Sequence, residues 1–334
     1  MQIKNVAMIG AGAIGGVYSY SLHKLLGDNF AFIANGKRKE RLEKEGLYLN
    51  GEHFNPKVVS SDEDIKFDLI IVSVKNYQLQ SAIEDMRNLV GKNTIILTLL
   101  NGISSRDVLQ EEFKDNHVLY GLAIKIDAVK VGNKITQNSK AIIQFGDKYN
   151  KTMSEEVLAV KNLLNDAKIN NQVFEDMIKT VWTKWMLNIG LNQVSAISGA
   201  TYGVIKNTPE LLTLVNKAMT EVMEVSKAYN INLGDENWAS VQDVIDSLDG
   251  DGKTSLLQDV ENKRKTEVEY FSGTLIKIAK EHNAKTAILK AGSPSCGYKK
   301  IYDGTFLGNK IQGMGVTAAI LNKENIALLD EDDI

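Results

Sequence analysis

A chain of 334 residues that is 43% hydrophobic and 24% charged has core enough for about two globular domains, which excludes a disordered or low-complexity protein. Its net charge of -3 excludes the basic footprint of a nucleic-acid or anionic-membrane binder, since the run Lys37-Arg38-Lys39 is short and mixed with Glu40 and Glu43. No apolar stretch approaches the ~20 residues of a membrane span, the N-terminus reads as strand rather than signal peptide, and the single cysteine, Cys296, has no internal disulfide partner, so the expected compartment is the cytoplasm.

In chain order, the apolar run Val6-Ala7-Met8-Ile9 feeds into Gly10-Ala11-Gly12-Ala13-Ile14-Gly15, which opens a helical pattern running from Ala13 toward Leu25. Strand, glycine turn and helix in this order predict a dinucleotide site. Gly10 permits the tight turn, Gly12 lets backbone amides approach a pyrophosphate, and Gly15 allows close packing of helix on strand. Strand-like and helical runs then alternate: 30–33, 37–45, 69–74, 78–89, 94–99 and 104–113. This alternation predicts a parallel sheet with helices on both faces. From Leu119 to Phe145 the pattern turns to short strands with a turn at Gly132-Asn133, expected to close the domain as an antiparallel extension. Beyond Ser154 the periodicity is mostly helical, with long segments near 180–197, 209–229, 235–248 and 266–282. Pro209 stands where a helix can begin, because its missing N–H costs nothing there. The expected organisation is an α/β domain over 1–150, a helical domain over 151–284 and an appended α/β segment over 285–334.

Within the helical half, Lys184, Asn188 and Asn192 stand at i, i+4 and i+8 and form one polar stripe. A solvated face is one reading of it. The neighbours Trp182, Trp185, Met186, Leu187, Ile189 and Leu191 are apolar almost all round, so the alternative is a buried helix whose polar groups need partners from a structural network or a bound polar substrate. Thr254-Ser255-Leu256-Leu257-Gln258-Asp259 and Thr266-Glu267 follow.

These residues resemble, in order and spacing, the ketopantoate reductase family: the N-terminal GAGAIG, Lys75 after Val72-Ser73-Val74, Asn101-Gly102 after Leu99-Leu100, the Lys184/Asn188/Asn192 stripe, Ser255, and Thr266-Glu267. The resemblance spans roughly residues 3–283. It implies a Rossmann domain followed by a helical domain, with a 2-keto acid in the cleft and NADPH donating hydride, as in the reduction of ketopantoate to pantoate on the way to pantothenate and coenzyme A. Lys184 then resembles the general acid. Glu267 resembles the acceptor of the substrate hydroxyl, and Asn101, Asn188, Asn192 and Ser255 resemble its polar contacts. Gly10, Ala11, Gly12, Ala13, Ile14, Gly15, Asn35, Lys37, Arg38, Lys75 and Asn101 are the expected cofactor residues. The chemistry agrees, because hydride arriving at a ketone builds charge on oxygen that an ammonium stabilises and protonates. A closed, partly apolar environment draws a lysine pKa toward working pH, and Trp182 and Trp185 supply one unless they are ordinary core. The other partner expected is a second copy of the chain, as a homodimer.

Cofactor choice is read from Ile33-Ala34-Asn35-Gly36-Lys37-Arg38, where an NAD site usually ends the second strand in a carboxylate. Its absence, followed by two cations, favours NADPH, although the family often has arginine in place of Asn35. Thr201-Tyr202-Gly203 replaces a further substrate-contacting asparagine of some relatives, which leaves open another branched 2-keto acid as substrate. A non-catalytic NADPH sensor would have no use for Lys184, Ser255 and Glu267 together. Residues 286–334, with Ser293-Pro294-Ser295-Cys296-Gly297, are similar to the C-terminal half of a small family that includes iron–sulfur thiouracil desulfidases. One thiolate does not hold a cubane cluster, so a fused fragment folded as strand, loop, helix and strand is expected, the alternative being a cluster shared with another chain.

Overall fold

The computed structural model describes residues 2–282, 286–289, 297–302, 309–323, 326–330 and 333. The chain divides into two compact units between Trp182 and Thr183.

The first unit is built on β1 (Val6–Ile9), α1 (Ala13–Leu26), β2 (Phe30–Ile33), α2 (Gly36–Glu45), β3 (Leu47–Leu49), β4 (Glu52–Phe54), β5 (Lys57–Val59) and β6 (Phe67–Val72). It continues through α3 (Leu79–Met86), β7 (Val90–Thr98), α4 (Ser105–Glu112), β8 (His117–Ile124), β9 (Ala128–Val131), β10 (Lys134–Gln137), β11 (Ile142–Gly146), α5 (Glu155–Asp166) and β12 (Asn171–Gln172). The main sheet has the order β12-β11-β8-β7-β6-β1-β2-β5. Strands β1 and β2 are buried at every position, because helices cover both faces of a parallel sheet. Alternation then divides the core: Met8, Phe32, Leu69, Ile71 and Leu97 face one side, and Ile9, Ile33, Ile70, Val72 and Ile96 the other. Strand β1 pairs in parallel with β2 on one edge and β6 on the other, so the chain reverses its direction of travel across the sheet there. Crevices for ligands open at the carboxyl ends of strands at such a switch.

Within the first unit, sequence and structure differ in three places. The segment expected as one antiparallel extension is shared between two sheets. Strand β8 joins the main sheet in parallel with β7, and β11 pairs with β8 in the antiparallel sense. The β9–β10 hairpin, turning at Gly132 with φ 61°, belongs instead to a second sheet of order β4-β3-β10-β9. The strands β3, β4 and β5 each have three residues, too few for alternation to declare itself. Finally, β12 pairs with β11 through Ile143↔Asn171, so α5 and β12, beyond the expected limit at 150, complete the first unit.

Helix α6 (Met177–Leu187) carries the chain into the second unit and runs on through a π-helical turn at Asn188–Asn192 into α7 (Gln193–Ser198). Then follow α8 (Tyr202–Asn207), α9 (Pro209–Ala228, with Pro209 in its first turn), α10 (Asp235–Ser247) and α11 (Ser255–Glu261). A second π turn, Glu269–Gly273, leads into α12 (Thr274–Glu281). The C-terminal segment comprises β13 (Thr286–Leu289), β14 (Lys300–Tyr302), β15 (Lys310–Gln312), α13 (Val316–Lys323) and β16 (Ala327–Asp330). Strands β13 and β16 pair in parallel, while β14 and β15 form a hairpin absent from the expected strand, loop, helix and strand. Ala318, Leu321 and Ile326 are buried there against Ile276 of α12, Tyr298 and Leu328. Cys296 lies outside the described residues. Among the described residues no helix is long and apolar enough to cross a membrane.

Candidate active site

In the first unit the glycine turn leaves β1 with Gly10 at φ 108°, a conformation that disfavours any side chain. Ser73, at the end of β6, holds this turn: its amide donates to Ile9 O at 2.9 Å and its hydroxyl to Gly10 O at 2.8 Å. A Cβ at Gly15 would stand 1.9 Å from Gly10 O, so the first turn of α1 lies directly on the strand end. Above Gly12 the situation is the opposite: among the described residues, no atom beyond its own chain neighbours lies within 4 Å of the Cβ position. Helix α1 has no side-chain cap at Gly12 and no acid in its first turn, which leaves its amides and dipole available to an anion. An open, uncapped helix N-terminus of this kind suits an anion such as a pyrophosphate.

At the end of β2, Asn35 precedes α2, but its side chain turns to the protein. Nδ2 donates to Asp85 Oδ1 at 2.7 Å and to Ser61 Oγ at 3.1 Å, and Oδ1 accepts from Ser61 N at 3.0 Å. The amide therefore fastens the β2 end to two neighbouring segments. Lys37 and Arg38 are exposed, whereas Lys39 pairs with Glu63 at 3.1 Å. At the ends of β6 and β7, Asn76 Nδ2 donates to Asn101 O at 2.9 Å, which ties the half-buried Lys75 segment to the Asn101-Gly102 turn. The expected cofactor residues thus gather at the carboxyl edge of β1, β2, β6 and β7.

One neighbour of this edge escaped the sequence reading. Lys130, on β9, donates from Nζ to the carbonyl of Ala11 within the glycine turn. Desolvation, with Arg41 and Arg38 adding like-charge repulsion, lowers its pKa to about 8. Nothing in the sequence signals it: alternation along β9 would turn Val129 and Val131 inward, whereas in the structure both face solvent and the lysine between them is turned inward.

In the second unit, Lys184 sits near the end of α6, and Asn188 and Asn192 bound the π turn that follows it. Both asparagines are buried, and Asn192 Nδ2 donates to Asn188 Oδ1 at 3.3 Å. Asn188 Nδ2 is enclosed with no hydrogen-bond partner among the described residues, a donor that calls for an acceptor. Lys184 is part-exposed as a residue, yet desolvation of its ammonium lowers the pKa to about 8, opposed by the nearby Glu267 carboxylate, which raises it. Glu267 itself is only 4% exposed, just before the second π turn. The segment that delivers it is fixed by Arg264, whose Nε meets the buried Asp259 carboxylate at 3.0 Å.

Ser255 is the first residue of α11, exposed beside Thr254, whose hydroxyl caps the helix by accepting from Leu257 N at 3.2 Å. The loop before it is pinned to Thr201-Tyr202-Gly203, since Tyr202 N donates to Gly252 O at 3.0 Å and Gly203 N to Gly250 O at 2.8 Å. Trp185 is fully buried and Trp182 nearly so. The second unit thus brings an ammonium of depressed pKa, a buried carboxylate and a buried amide donor onto neighbouring elements, a set suited to binding a hydroxylated oxo acid and protonating its oxygen.

Two family descriptions match this chain: "Ketopantoate reductase PanE/ApbA" over residues 6–150, and its C-terminal part, "Ketopantoate reductase PanE/ApbA C terminal", over 176–291. A 2-dehydropantoate 2-reductase of Pyrococcus horikoshii is 26% identical over 288 residues, which cover 85% of this chain and 93% of the relative. The solved ternary structure of D-mandelate dehydrogenase with NADH and anilino(oxo)acetate shares the fold at TM-score 0.74 and 22% identity, covering 83% of this chain and 92% of the other. A dimeric ketopantoate reductase from Staphylococcus aureus does so at TM-score 0.71 and 22% identity, covering 84% and 92%.

Proposed function

Since this chain belongs to the ketopantoate reductase family and is an oxidoreductase, we propose that it reduces 2-dehydropantoate to (R)-pantoate with NADPH, in the synthesis of pantothenate and coenzyme A. The observation that carries this reading is Lys184, an ammonium drawn down to about 8 with the buried Glu267 carboxylate in its neighbourhood. Bound NADPH would supply a hydride to the keto carbon, leaving negative charge on the carbonyl oxygen. Lys184 Nζ stabilises that charge and gives up one proton to the oxygen, producing the alcohol and a neutral amine. At a pKa near the working pH the ammonium is both populated and a sufficiently strong acid.

The other residues bind and orient. Glu267 accepts from the substrate hydroxyl, which a keto acid lacking that group cannot offer. Asn188 Nδ2 donates to a substrate oxygen, and Asn192, through its bond to Asn188 Oδ1, fixes which way the Asn188 amide points. Ser255 and Asn101 add polar contacts. On the first unit, Gly10, Ala11, Gly12, Ala13, Ile14 and Gly15 hold the pyrophosphate. Lys37 and Arg38 lie on the side of the ribose phosphate, Asn35 shapes that strand end, and Lys75 and Asn101 stand at the β6 and β7 ends.

A second reading, reduction of another branched 2-keto acid, is favoured by Thr201-Tyr202-Gly203, whose backbone is committed to the Gly250–Gly252 loop. The test is to follow NADPH absorbance with ketopantoate beside 2-ketoisovalerate and phenylglyoxylate. A kcat/KM for ketopantoate well above the others supports the first reading, and the reverse order supports the second. No oxidation with any 2-keto acid would exclude both.

A further inference from the structure

Strand β9 has its apolar residues on the wrong side for an ordinary hairpin. Val129 is 46% exposed and Val131 74%, while the lysine between them is half-buried and paired across the hairpin with Ile135, which is 1% exposed. Directly opposed residues of an antiparallel pair share a face. Lys130 and Ile135 therefore both face α1, and the fit is close: a Cβ at Gly16 would stand 2.0 Å from Ile135 Cδ1. The hairpin is seated on the first turns of α1, and this seat aims the Lys130 stem at the glycine turn, where Nζ meets the Ala11 carbonyl.

Burying a lysine this way costs free energy, and a valine there would be cheaper. The surroundings make it costlier. Arg38 and Arg41, one helical turn apart on α2, bring two more positive charges near the ammonium and help depress its pKa. Among the described residues none of these three cations has a carboxylate partner, although Lys39 on the same helix is paired with Glu63. Three cations without a carboxylate partner among the described residues, one of them held at an open helix N-terminus, favour an anion there. We propose that Lys130 binds the phosphate on the adenosine ribose of NADPH, together with Arg38 and Arg41, and is a determinant of the choice of NADPH over NADH. The Ala11 carbonyl is then its resting partner, exchanged for phosphate oxygens when the dinucleotide arrives. The assignment also accounts for Asn35, whose amide is committed to Asp85 and Ser61, so that the phosphate's charge must be met from elsewhere.

This inference rests on the reading that the first unit binds NADPH, and binding measurements separate the two. Dissociation constants for NADPH, NADH and adenosine 2′,5′-bisphosphate are measured by calorimetry on the full chain, for the unsubstituted protein, K130M and K130R. The expected result is a loss of about tenfold or more for NADPH and the bisphosphate in K130M, less than about twofold for NADH, and substantial recovery in K130R. Equal losses for NADPH and NADH would overturn the proposal and make Lys130 a support of the glycine turn, and unchanged NADPH affinity would overturn it outright. A cofactor-free melting temperature of K130M equal to that of the unsubstituted protein confirms that the losses are not unfolding. Should the unsubstituted protein bind neither dinucleotide, the functional reading fails with it; should it bind both normally while K130M matches it, only the role of Lys130 fails.

Discussion

At the scale of single residues, Lys184 and Glu267 make the sharpest claims. Lys184→Ala removes a proton donor needed chiefly in the transition state, so kcat should fall by about 10²-fold or more while NADPH binding, measured by fluorescence titration, changes little. Turnover close to the unsubstituted level would remove Lys184 from the mechanism. The pH dependence has a definite sign. A general acid at about 8 is lost as pH rises, so kcat/KM should decline tenfold per pH unit above about 8. Stability should respond in the opposite direction. The unfolded chain holds this proton up to the ordinary lysine value of 10.5, so between 8 and 10.5 deprotonation increasingly favours the folded state. Glu267 raises the Lys184 pKa, so Glu267→Gln should move the alkaline limb of the profile to lower pH, an effect that a carboxylate serving only to pack would not produce. Glu267→Ala should also erase most of the advantage of ketopantoate over 2-ketoisovalerate, read as the ratio of their kcat/KM values, because a hydroxyl acceptor discriminates only between substrates that differ in the hydroxyl.

At the scale of elements, the glycine turn and the cations around it should fail in different ways. Gly15→Ala sets a Cβ 1.9 Å from the Gly10 carbonyl, a backbone atom that cannot swing aside. Overpacking of this kind costs about 1–3 kcal/mol, so the melting temperature should drop and both dinucleotides should bind more weakly. Replacing Lys37 and Arg38 by alanine leaves the turn intact and should weaken NADPH while sparing NADH; a common loss would assign these cations to general attraction. What the sequence made legible follows the same division. Glycine roles depend on backbone local to the turn, and the Lys184/Asn188/Asn192 stripe depends on the period of one helix, so both could be read from spacing. The π turn at Asn188–Asn192 has no such signature, and it changes the pitch at the stripe itself. Lys130 was hidden because its role exists only once β9 and β10 fold back over α1. The commitment of Asn35 to Asp85 was hidden because its partner lies 50 residues away in sequence.

At the scale of the whole molecule, the C-terminal segment is the feature that the ketopantoate reductase match, ending at residue 291, leaves mostly uncovered. Its structure joins it to the helical unit through apolar packing, with Leu321 only 5% exposed and Ile276 of α12 against the same cluster. Polar contacts close it on itself: Tyr298 OH donates to Asp333 Oδ2 at 2.7 Å, and Lys299 pairs with Asp333 and with the buried Asp330 at 3.4 Å. A segment packed in this way contributes stability whether or not it does chemistry. Leu321→Ala should therefore cost about 2–5 kcal/mol in chemical denaturation, and deletion of residues 286–334 should expose Ile276 and lower solubility. Cys296→Ser tests the other possibility. A lone thiolate supplies one of the three or four ligands that a cubane cluster needs, so the variant should keep its reductase activity and its melting temperature. Iron and sulfide in stoichiometric amounts in anaerobically purified protein, lost in Cys296→Ser, would instead make the segment a cluster site shared between chains.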